Sequence, residues 1–106
     1  MAFTLGFEDD DEWQDHFDDH HHLLGIATKE EYLEAADLFL GGPLRTTALE
    51  CTRRVGDIVR YDTVTQEFGV LSMNRYIRTY YIPEPGVRHR YANNLEYFRA
   101  QCKRTF

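Results

Sequence analysis

The feature that most constrains this chain is the shortness of the gaps between its β-prone runs. Thr47 to Arg53, Asp57 to Tyr61, Glu67 to Met73 and Tyr76 to Ile82 are rich in Val, Ile, Thr, Tyr and Phe. They are separated only by Val55-Gly56, by Asp62 to Gln66 and by Asn74-Arg75. Runs of this composition bounded by turn residues predict strands. Parallel pairing needs a crossover of about a dozen residues or more, so these four strands can only form an antiparallel meander. Pro83-Glu84-Pro85-Gly86 closes the sheet, because proline cannot extend a central ladder.

The flanks follow a helical period. Trp13, Phe17, His20 and Leu24 recur at helical spacing between about Asp9 and Leu24, with acids crowding the first turn and Gly25 as the stop. Thr28-Lys29-Glu30-Glu31 predicts a capping box opening a second helix. That helix carries Tyr32, Leu33, Ala36, Phe39 and Leu40 inward and stops at Gly41-Gly42-Pro43. A last helix is predicted over Asn93 to Lys103, with Leu95, Phe98 and Cys102 on its inner side. The expected fold is therefore α+β: N-terminal helices packed on a four-stranded antiparallel sheet, with a C-terminal helix. A chain of 106 residues fits one domain over residues 1–106. A domain this size buries roughly 60–70% of its unfolded surface, so a core needs no staple.

No apolar run approaches the roughly 20 residues that cross a bilayer, which predicts no membrane span. Met1 to Asp11 has no basic residue and no long apolar stretch, so it does not read as a secretory signal. Cys51 and Cys102 are expected to be two reduced, packed thiols of a cytoplasmic protein. The net charge is −6, but it is unevenly placed: residues 1–40 carry −11 and residues 41–106 carry +5. This asymmetry points to an anionic partner on the basic part, unless the acids and bases simply pair with one another.

Two segments carry candidate chemistry. His16, His20, His21 and His22 crowd the first helix with Asp15, Asp18 and Asp19. His16 and His20, four apart, face the same way and could grip a transition metal with a carboxylate as third ligand. An inward histidine can also serve as a base or acid near neutral pH, or the segment can be an ordinary polar surface. His20 stands out because it shares the apolar face. The second segment is Tyr76 to Ile82. Strict alternation puts Tyr76, Arg78, Tyr80 and Ile82 on one face and Ile77, Thr79 and Tyr81 on the other. Rings stack on unpaired bases, and hydroxyls and guanidiniums hold phosphate, so this composition suits single-stranded RNA; it equally suits a plain strand.

Taken in order, Asp15-His16-Phe17-Asp18-Asp19-His20, Gly25, Glu30-Glu31-Tyr32-Leu33, Gly56 to Asp62, Thr65 to Val70 and Ile77-Arg78-Thr79-Tyr80-Tyr81 resemble a known group. The succession is similar to the colicin D-like ribonuclease toxin domains, including toxin tips of contact-dependent growth inhibition systems, within the barnase–EndoU–colicin–RelE superfamily. The resemblance runs from about residue 15 to residue 103. It implies N-terminal helices on an antiparallel sheet and cleavage of RNA, often tRNA, with no metal or other cofactor. It also implies action in a bacterial cytoplasm and neutralisation by a cognate antitoxin or immunity protein. His20 is the carried-over base or acid, Thr79 the strand hydroxyl that contacts phosphate, and Tyr81 an aromatic wall. Arg78 is adjacent as a substrate-binding cation.

One position departs from the pattern. The family has lysine immediately before the histidine, where this chain has Asp19, and often glycine after it, where this chain has His21. A carboxylate there opposes a phosphate. Arg78 or Arg90 would then stand in for the missing cation, or His16 or His21 would serve as the second catalytic group. A catalytically silent relative that binds protein or RNA, and a metal-dependent hydrolase or sensor built on His16, His20 and an aspartate, remain the alternatives.

Overall fold

A computed structural model describes residues 3–104. Its elements run α1 (Asp10–Leu24), α2 (Lys29–Gly41), β1 (Ala48–Thr52), β2 (Ile58–Asp62), β3 (Phe68–Leu71), β4 (Ile77–Tyr81) and α3 (Asn94–Cys102). The α+β fold expected from the sequence is the one formed: the strands make a four-stranded antiparallel meander in the order β1-β2-β3-β4. Thr28 caps α2 as anticipated, accepting from the Glu31 N–H. Asp9 does the same for the Glu12 N–H and Asn93 for the Glu96 N–H, each satisfying an amide that the first turn leaves unbonded. Gly25 closes α1 at a left-handed φ of 69°, where a side chain would be strained.

The sheet buries both faces. On one, Leu71, Ile77 and Tyr80 pack with Tyr32, Ala36, Phe39 and Leu40 of α2, and Trp13, Phe17 and Leu24 of α1 close over them. On the other, Val59, Tyr61, Phe68, Val70 and Tyr81 pack with Phe98, flanked by Leu95 and Tyr97 of α3. Gly69 lets α2 lie close to β3, because a Cβ there would come within 2.8 Å of the Leu40 side chain.

Two expectations are corrected, and a buried carboxylate is added to them. Cys51 and Cys102 are not two reduced thiols but one disulfide, tying β1 to the end of α3. The two faces of β4 do not follow strict alternation. Val70 pairs with Thr79 but Leu71 pairs with Ile77, so Arg78 is the extra residue of a β-bulge. Ile77 therefore joins Tyr80 on the α1–α2 face, while Thr79 and Tyr81 face α3. Finally, Asp37 is buried in α2, where periodicity places only apolar residues. It accepts from the backbone N–H groups of Phe3 and Thr4 at 3.2 and 2.8 Å, docking the segment that precedes α1. Among the described residues no helix is long and apolar enough to cross a membrane.

Candidate active site

α1 packs against β4, and the cleft between them gathers most of the residues singled out from the sequence. Asp15, His16, Asp19 and His20 of α1 line a cavity of about 350 Å³ with Thr79 and Tyr81 of β4 and Arg88 of the following loop. His20 is 5% exposed, and its imidazole stacks on the Tyr81 ring at 4.7 Å between centroids. Its Nδ1 is enclosed without a hydrogen-bond partner among the described residues. Enclosure of Nδ1 leaves Nε2 as the nitrogen that can meet a ligand. Burial, then the positive charge of Arg88 and the neighbouring His16, pushes the His20 imidazole down from 6.5 to about 4. It is thus neutral near pH 7, the state of a proton acceptor.

His16 stands one turn earlier, 5.7 Å from the His20 ring, with its other side stacked on Phe7 at 5.2 Å. Burial lowers its pKa as well. A phosphodiester placed between these rings and Arg88 would raise both values, since a nearby anion favours the imidazolium form. One ring could then accept a proton while the other supplies one. Thr79 is half-buried, and its hydroxyl has no hydrogen-bond partner among the described residues, so it is available to a ligand. Burial pushes the Tyr81 hydroxyl up, as does its hydrogen bond with the Tyr97 hydroxyl. Tyr97 in turn stacks on His89 at 4.4 Å. His89 is held by the Tyr91 N–H at its Nδ1 and by Asn94 Oδ1 at its Nε2, so the aromatic wall behind His20 is braced as far as α3.

Several candidates fall elsewhere. His21 turns inward, stacking on Phe17 and hydrogen-bonding the Ile26 carbonyl through Nδ1, which makes it part of the α1 stop. Arg90 bonds the Gly86 carbonyl at 2.6 Å and lies outside this cavity. Arg78 is brought to the α3 side by the bulge, bonding Asp57 at 3.1 Å and lining a neighbouring lobe with Thr79 and Tyr81. Among the described residues no group of three His, Cys, Asp or Glu side chains is gathered to hold a metal ion, so the His16–His20 pair has no third ligand there.

Arg88 brings a cation to this cavity from a loop that no sequence period singled out. The loop after Pro83 folds tightly, with Val87 and Arg88 donating to the Glu84 carbonyl and Gly86 donating to that of His89. This turn presents Arg88 to the histidines, and Arg88 has no ion-pair or hydrogen-bond partner for its guanidinium among the described residues. The only local signal was a basic residue following a Pro-Gly turn. Other basic residues are spent structurally: Arg45 pairs with Asp62 and Glu67, and Arg60 with Glu50 and the Phe39 and Gly42 carbonyls. Compared with known proteins, the chain matches no family model and no curated protein sequence.

Proposed function

We propose that this domain is a metal-independent endoribonuclease of the bacterial toxin type. Its substrate class is RNA, tRNA first among candidates. Its site of action is the cytoplasm of a bacterial cell, and its inhibitor a cognate antitoxin or immunity protein. The observation that carries this reading is the placement of buried, neutral His20 in one cavity with a hydroxyl donor, Thr79, and an uncommitted cation, Arg88. The chemistry asks for a base, an acid and charge stabilisation at phosphorus. In this scheme His20 Nε2 takes the proton from a ribose 2′-hydroxyl, whose oxygen then attacks the adjacent phosphorus. Arg88 and the Thr79 hydroxyl stabilise the charge on the non-bridging oxygens. His16 returns a proton to the departing 5′-oxygen, leaving a 2′,3′-cyclic phosphate. Arg78 and Tyr81 hold the strand on either side.

Incubation of the purified protein with total tRNA in EDTA is expected to give discrete fragments; intact tRNA at every pH between 5 and 8 would overturn the proposal. The carboxylates of Asp15 and Asp19 on the cavity rim favour a second reading, a silent relative that only binds RNA or protein. Cleavage that vanishes in Thr79→Ala eliminates that alternative.

A further inference from the structure

Past Thr79 and Tyr81 the cleft opens into a second lobe of about 230 Å³, walled by Tyr97, Arg53, Arg78, Gln101 and Arg104. Gln101 is 8% exposed, and its Oε1 accepts from Arg53 Nη2 and from Arg104 Nη1, both at 3.1 Å. A guanidinium only donates, so these two bonds fix which end of the amide is oxygen. The Nε2 end then carries two N–H donors, and it has no partner among the described residues. Those donors stay reachable from the lobe, where an acceptor on a ligand can meet them. The lobe is thus lined by rings for stacking, by three guanidiniums and by the open donor end of Gln101.

We propose that this lobe is a base-reading subsite for an unpaired nucleotide beside the cleaved bond, selecting a keto base, uracil or guanine, over an amino base, cytosine or adenine. The inference rests on the RNA-binding half of the function proposed above. Gln101 Nε2 donates to the carbonyl at the position where cytosine and adenine carry an amino group, which would meet it donor to donor. Tyr97, fixed by its stack on His89, supplies the flat wall, and Arg78 at the mouth holds the flanking phosphate.

The test is equilibrium binding of fluorescent 2′-O-methyl RNA octamers, which lack the attacking hydroxyl and survive intact. Wild-type protein is expected to bind the uridine octamer about tenfold more tightly than the cytidine octamer, within the range one good base contact gives. Gln101→Glu keeps an oxygen for Arg53 and Arg104 but turns the donor into an acceptor, and is expected to invert the preference toward cytidine. Equal binding of the two octamers by wild type, binding of neither, or an unchanged preference in a folded Gln101→Glu protein would overturn the proposal. The wild-type comparison needs no variant, so it stands even if the substitution disturbs folding. A protein that cuts tRNA but binds both octamers alike keeps the ribonuclease reading and loses the subsite; one that discriminates without cutting does the reverse.

Discussion

His20 titrates against its own burial. Its folded-state pKa of about 4 lies below the ordinary 6.5, so the unfolded chain binds the proton first as pH falls. Its contribution to stability is whole above about pH 6.5 and is lost progressively as pH falls toward 4. Urea unfolding should therefore show a lower midpoint at pH 5 than at pH 7, with a smaller difference in His20→Gln; an equal difference in the variant would contradict the assignment. Arg88 acts on the same ring and on the phosphate. Arg88→Ala should raise the His20 pKa, visible in its imidazole NMR titration. It should also flatten the salt dependence of binding to single-stranded RNA by about 0.7 in log–log slope, as loss of one phosphate contact requires. That His16 with His20, and Thr79 with Tyr81, share a face was legible because helical and strand periods are local rules; packing then brings the two pairs to one cavity. Arg88 was not legible, because its place depends on how the loop after Pro83 folds back, and no period in the sequence encodes that.

At the level of elements, the bulge in β4 does what alternation forbids. One extra residue against β3 returns Arg78 to the side of Thr79 and hands Ile77 to the helical core. A bulge is decided by pairing with a neighbouring strand, so the β4 sequence by itself reads as an uninterrupted alternation. The same non-local logic hides Gly69. In the sequence it is a glycine inside a strand run; in the fold it is the point where Leu40 of α2 rests on the sheet. Gly69→Ala is expected to destabilise the domain by about 1–3 kcal/mol through overpacking, measured by denaturant unfolding. An unchanged midpoint would mean that Leu40 moves aside freely. The Thr28 cap, by contrast, was readable from the sequence, since it acts on an amide three positions away.

Across the whole molecule, charge and covalent connection shape the cleft together. The acids of α1 stay exposed, with Asp15 and Asp19 on the rim of the first lobe, while Arg53, Arg78, Arg88 and Arg104 gather around the two lobes. Segment charge foretold a basic region, but not that Arg45 and Arg60 would be absorbed into the framework. The disulfide joins residues 51 positions apart and anchors α3, which carries Tyr97 and Gln101 into the cleft. Two isolated cysteines gave no spacing pattern from which that pairing could be read. Closing a loop of this length is worth about 2–4 kcal/mol. Reduction, or the double substitution Cys51→Ser with Cys102→Ser, should lower stability by that amount and weaken RNA binding. Unaltered stability under reductant would show that the remaining contacts hold α3 on their own.

In the proposed scheme His20 drives attack by the ribose 2′-hydroxyl, and the chemistry of the cut ends reports that step. Fragments of tRNA produced in EDTA should end in 2′,3′-cyclic phosphate, and His20→Ala, folded by circular dichroism, should form them at least a hundredfold more slowly. Fragments ending in 3′-hydroxyl, or cleavage undiminished in His20→Ala, would contradict it.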